Sequence, residues 1–166
     1  MRTFIESQFN FCPLVGMCHS RELNHKINHL HERALRVVYK SNSLTFKQLL
    51  EMDKSFTIHE RNLQKLATEM YKVKHNMCPK PFQDVFTPAV RGRNDCIIPS
   101  AETVNRGLET IRYRGPKTWE LVPKDIKDSS SRSTFKSKIK HWKPSGCTCR
   151  QNLYSRLRVL VILQKF

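Results

Sequence analysis

Between Ser20 and His75 the apolar residues return every three or four positions, and no other feature of the chain restricts its fold as much. Leu23, Ile27, Leu30, Ala34 and Val38 form one stripe, with Arg33, Arg36 and Lys40 lying off it. That spacing puts the apolar set on one face of an α-helix and predicts a helix over 21–40, with Ser20 as its N-cap. Ser41-Asn42-Ser43 is a turn, and Phe46, Leu49 and Leu50 predict a short helix over about 45–52. Thr57-Ile58-His59-Glu60 is a capping box, in which Thr57 caps the third amide and Glu60 reaches back. Ile58, Asn62, Leu66, Met70 and Val73 carry a second stripe to about His75, and Pro79 and Pro81 bar any extension. Three helices in this stretch predict a small helical bundle. Its expected buried residues are Leu23, Ile27, Leu30, Ala34, Leu66 and Met70.

The rest of the chain is less periodic. Residues 1–19, where Phe4, Ile5, Phe9 and Phe11 run into Cys12-Pro13, read as the end of a helix followed by a break. Residues 76–115 carry most of the prolines and glycines, with Thr110-Ile111-Arg112-Tyr113 as a candidate strand. Gly115-Pro116 then opens a short helix through Trp119 and Leu121, proline being suited to a first helical position. A serine-rich turn at 129–133 caps a last basic helix, which Pro144 and Gly146 stop. Phe135, Ile139 and Trp142 mark its inner side, and Trp119 and Trp142 are expected in the core. The fold expected is mainly α: a thumb-like helical segment over 1–78, an irregular linker over 79–115, basic helices over 116–146 and a divergent tail over 147–166. The hydrophobic share of 39% in 166 residues is enough for a modest core.

Charge narrows the partners. Thirty Lys and Arg against fourteen Asp and Glu give a formal charge of +16. Each phosphate neutralised by such a surface releases condensed counterions, so RNA and DNA backbones are favoured; acidic proteins and anionic membranes would also be attracted. The excess is uneven, with 17 basic and 6 acidic residues from Arg91 onward against 13 and 8 before it. The opening Met-Arg-Thr-Phe-Ile-Glu-Ser-Gln has no apolar signal-peptide core. The most apolar run, Val159 to Leu163, is far short of the roughly 20 residues that span a bilayer. Cys12, Cys18, Cys78, Cys96, Cys147 and Cys149 read as reduced thiols or metal ligands, and the cytoplasm or nucleus is the expected compartment, with no membrane partner.

No catalytic constellation stands out. Two-metal nucleotidyl transfer needs clustered carboxylates, whereas Asp53, Asp84, Asp95, Asp125 and Asp128 are scattered. A phosphate loop, a Gly-x-Ser-x-Gly elbow and a His-Glu-x-x-His motif are all lacking, and no cofactor is expected. His25 and His29, four apart and near Cys18 and His19, could hold a metal from one helix face but read better as a polar surface. His141, Cys147 and Cys149 resemble half of a zinc knuckle; a closed site needs four ligands, so a tight zinc site is not expected. Arg112, Arg114, Lys117, Lys136, Lys138, Lys140 and Lys143 are interleaved with Tyr113, Trp119, Phe135 and Trp142, a pattern that suits tracking of a nucleic-acid backbone. Those seven cations are the expected contacts. The aromatics at helical spacing are expected inside.

Several blocks, in order, resemble a known family. They are Phe4-Ile-Glu-Ser-Gln-Phe-Asn-Phe-Cys-Pro-Leu-Val15, Asn28-His-Leu-His-Glu-Arg-Ala-Leu-Arg-Val-Val-Tyr39, Ile58-His-Glu-Arg-Asn-Leu-Gln-Lys-Leu-Ala-Thr-Glu-Met-Tyr-Lys-Val73, Arg114-Gly-Pro-Lys-Thr-Trp-Glu-Leu-Val-Pro123 and Phe135-Lys-Ser-Lys-Ile-Lys-His-Trp142. Together they are similar to the region after the polymerase palm in non-LTR (LINE-type) retrotransposon reverse transcriptases of animals, from about residue 4 to Arg150. The resemblance implies a thumb-like helical segment with a C-terminal extension, from a parent enzyme that copies element RNA into DNA. It also implies that the paired palm aspartates lie upstream of the matching region, so no catalytic residue carries over and the chain is expected to be no enzyme. Residues 87–115 are shorter than the family stretch. Where the family often ends in Cys-x-Cys-x-x-Cys, Cys147 and Cys149 match and the third position is Asn152. Two alternatives stand beside nucleic-acid binding: a helical protein-interaction module, self-associating through exposed helix faces, and a transposon-derived relic without selected function.

Overall fold

The computed structural model describes residues 21–89, 95–100 and 110–144. Among them are seven helices: α1 (Arg21–Tyr39), α2 (Phe46–Asp53), α3 (Ile58–Lys74), α4 (Lys80–Gln83), α5 (Ile111–Leu121), α6 (Lys124–Lys127) and α7 (Arg132–Ile139). The mainly α expectation holds. Ser20, the break expected within 1–19, Cys147, Cys149 and the tail from 147 lie outside the described residues.

Local chemistry sets the helix starts. Thr57 Oγ1 accepts from the Glu60 amide at 3.2 Å while the Glu60 carboxylate accepts from the Thr57 amide at 2.9 Å, which completes the expected capping box of α3. Thr45 and Gln48 form the same reciprocal pair at the start of α2. Ser131 caps α7 by accepting from the Thr134 amide.

α3 is the centre of the molecule. Ala67, Met70 and Tyr71 on α3 pack with Phe86, Trp119, Val122, Ile126, Phe135, Ile139 and Trp142 into one buried cluster. The Tyr71 and Phe135 rings stack at 4.3 Å between centroids, and Trp119 lies 6.0 Å from Phe135. The Tyr71 hydroxyl donates to the Ser129 carbonyl at 2.9 Å, so the phenol is satisfied although fully buried. The core therefore joins α3 to α5, α6 and α7, and the segments on either side of residues 79–115 share it.

Two expectations need correcting. Thr110–Tyr113 is not a strand: α5 starts at Ile111, and Pro116 stands inside it rather than at its first position. Gly115 lowers one part of the cost, because the clash between a proline ring and the preceding Cβ is absent, although Pro116 still donates no bond to the Arg112 carbonyl. The same glycine brings α5 against α3, since an added Cβ would lie 2.7 Å from the Phe86 ring and 2.8 Å from Met70 Sδ. The second correction concerns α1. Leu66, Met70, Trp119 and Trp142 are buried as expected, but Leu23 and Leu30 are 41% and 55% exposed, while Ile27 and Ala34 are half-buried. α1 instead turns Asn24, His31 and Leu35 inward. It is held by polar and ring contacts: Tyr39 Oη donates to Asp53 at 2.9 Å, and His31 meets Phe46 edge-on at 5.6 Å.

Candidate nucleic-acid interface

Where α2 ends, Lys54 adopts a left-handed conformation (φ 50°), and Ser55 and Phe56 lead directly into capped α3. This corner, the outer side of α3 and the back of α7 enclose a cleft of about 340 Å³. Five cations line it, namely Lys54, Arg61 and Lys65 from the first half and Lys136 and Lys140 from α7 and its C-cap. No carboxylate is among the lining residues. Burial lowers the Lys65 pKa, and the nearby Arg61 guanidinium lowers it further. Like charges are thus gathered where solvent is partly excluded, a setting in which a bound anion would be favoured. Ser55 Oγ, in the same lining, is buried and has no hydrogen-bond partner.

The walls are fixed to one another. Gln64 Nε2, on α3, donates to the Trp142 carbonyl at 2.7 Å and to that of Lys140 at 3.5 Å. Ile139 and Trp142, buried in the core, anchor the α7 side.

The seven cations expected from sequence do not all meet here. Lys136 and Lys140 line the cleft. Lys138 is exposed, but its Nζ donates to the Asp125 carbonyl at 2.9 Å, toward α6. Lys143 is exposed beyond α7. Arg112 and Lys117 are exposed on α5, outside the cleft lining, and their five-residue separation places them about 140° apart around that helix. Arg114 must be withdrawn as a surface contact. It is 6% exposed and lies one turn before the buried Thr118, on the part of α5 that is turned inward.

Lys54, Arg61 and Lys65 were missed from sequence because they lie in the less basic half. The signal that could have found two of them is local: Arg61 and Lys65 are four apart on α3, off the buried stripe.

A second cleft, of about 450 Å³, lies over Trp119 and carries both signs of charge, with Asp95 and Glu120 beside Lys124 and Lys127. Asp95 is the hub of that face, accepting from Trp119 Nε1 at 2.6 Å and from Lys74 Nζ at 3.2 Å. Lys127 stands 5.4 Å from the Trp119 ring centroid, a cation–π distance. A face so internally compensated has little net attraction for a polyanion.

Among the described residues no three His, Cys, Asp or Glu side chains are grouped to hold a metal. His25, His29 and His141 are exposed, and His29 Nδ1 lies 3.8 Å from Glu32. No helix among the described residues is long and apolar enough to cross a membrane. Compared with protein-family models, curated proteins and solved structures, the chain gives no match.

Proposed function

We propose that this chain is a non-catalytic nucleic-acid-binding piece akin to the post-palm region of non-LTR retrotransposon reverse transcriptases, and that it holds RNA or DNA by the backbone with little sequence preference. The carboxylate-free cleft with five cations carries the binding part of the proposal. Phosphate contacts position a strand without reading its bases, so a groove of lysines and arginines on a rigid core is sufficient. The kinship part rests on the ordered sequence blocks, and a mainly helical fold is compatible with it. The lack of catalysis rests on the scattered aspartates of the sequence and on the resemblance, in which the paired palm aspartates lie upstream of the matching region. Such a binder would act in the cytoplasm or nucleus, where its partners are.

Fluorescence anisotropy with labelled RNA and DNA over a salt series tests the proposal. If about five phosphates are contacted, log affinity falls against log salt with a slope of roughly −3 to −5. Salt-independent binding, or none in dilute salt, would refute it. With primer, template, magnesium and nucleotides, rigorously purified protein should extend nothing.

One observation favours a second reading, a helical protein-interaction module. Leu23, Leu30, Val37 and Val38 leave an open apolar strip along α1. Sedimentation at rising concentration tests self-association through that strip.

A further inference from the structure

We infer that the α2–α3–α7 cleft is a seat for single-stranded nucleic acid in particular, with the strand's phosphates on the two basic walls and a base laid on Phe56. This rests on the proposed nucleic-acid reading and adds the strandedness that the reading leaves open.

Three features of the cleft support it. First, each wall is a short row rather than a point. Arg61 and Lys65 are one turn apart on α3, and Lys136 and Lys140 one turn apart along α7, so each row spans about 6 Å along its helix. Two facing rows can track one backbone between them. Second, the lining is apolar as well as basic, because it includes Phe56 and the buried Ile139. Every base has a π-face, and an aromatic ring beside cations is the usual sequence-tolerant platform for unpaired bases. In a duplex those faces are stacked on neighbouring pairs, and one can reach Phe56 only if the nucleotide is turned out, at a cost of a few kcal/mol. Third, the cleft is small and fixed. Its 340 Å³ is at the low end of the range for pockets that hold small organic ligands, so a nucleotide-sized unit can enter it, whereas a double helix could only lie across its mouth. Gln64 ties the walls together through the Trp142 carbonyl, so the opening is preset.

The experiment is competition anisotropy on the full chain, with a labelled single-stranded 20-mer displaced by unlabelled strand or by its duplex at fixed salt. The wild-type protein should prefer the single strand by at least about tenfold. Phe56→Leu keeps apolar bulk and removes the stacking ring, so it should weaken single-strand binding at least about fivefold and change duplex binding by less than about twofold. Phe56→Trp, which retains a stacking face, should bind the single strand as well as wild type. A melting curve for each variant confirms that it folds. Duplex bound as tightly as single strand, or Phe56→Leu weakening both forms alike, overturns the inference. A third variant separates it from the broader proposal. If Arg61→Gln/Lys65→Gln/Lys140→Gln weakens both forms while Phe56→Leu changes neither, the cleft binds backbones without choosing strandedness. If that triple also changes neither form, both proposals fall.

Discussion

α1 and α3 carry the same kind of apolar stripe, and the fold treats them in opposite ways. The α3 stripe is covered on nearly every turn, with Leu66 at 1% and Met70 at 2% exposure. Along α1, Leu30 and Val37 remain 55% and 64% exposed, and the buried side is carried by Asn24, His31 and Leu35. Periodicity establishes that a helix has an apolar face. It does not say that the rest of the chain supplies something to lay on it. α3 has α5, α6 and α7 to cover it, whereas α1 meets mainly α2 and the edge of α3.

The sharpest test of this contrast compares truncations of equal size. Leu66→Ala should cost about 2–5 kcal/mol, the usual range for a leucine deleted from a packed core. Leu30→Ala should stay within about 0.5 kcal/mol, because an exposed leucine loses little and alanine favours the helix. Urea unfolding followed by circular dichroism gives both values. Equal losses would mean that the outer face of α1 is covered after all.

A smaller effect is expected where α5 leans on α3. Gly115→Val adds bulk into Phe86 and Met70 and should destabilise by about 1–3 kcal/mol, read in the same way. A neutral result would show that the two helices can separate freely.

The smallest effect is acid-dependent and lies at the Asp95 hub. Burial raises the Asp95 pKa, but the hydrogen bonds from Trp119 and Lys74 and the charges of Lys74 and Lys127 outweigh it, leaving the carboxyl below its usual value. A carboxyl lowered by folding stabilises the native state above its unfolded pKa, about 3.9, and that contribution fades as pH falls through the folded value. Asp95→Asn should therefore be slightly destabilising at neutral pH and make stability less sensitive to acid below pH 4. Because the group is 37% exposed, solvent screening keeps the change small.

What could be read from sequence was whatever a few neighbouring residues determine. Thr57 and Glu60 settle the start of α3 between themselves, and Ser131 settles that of α7. At α5 local cues point the wrong way: Thr110–Tyr113 reads as a strand and Pro116 as a helix start, whereas the helix runs from Ile111 through Pro116. The outcome depends on Gly115 approaching Met70 and Phe86, which are distant in the chain. The same shift decides the fate of Arg114. Once the helix begins at Ile111, Arg114 falls one turn before Thr118, about 40° from it around α5, and both side chains are buried. For Lys54, Arg61 and Lys65 the sequence offers only the local i, i+4 pairing of Arg61 with Lys65, not the cleft. They become a cleft only when α7 is brought alongside by Phe135, Ile139 and Trp142.

The central claim is that position, and not charge alone, makes the cleft the binding site. The direct measurement compares two triples of equal charge loss by anisotropy over a salt series. One is Arg61→Gln/Lys65→Gln/Lys140→Gln in the cleft, and the other is Lys26→Gln/Arg33→Gln/Lys40→Gln, exposed along α1 and just past its end. The cleft triple should weaken RNA and DNA alike and flatten the salt slope by up to about 2–3, one unit for each phosphate lost. The α1 triple should change the slope by less than about 1. Equal losses from both triples would mean that net charge is all that matters, and would contradict the claim.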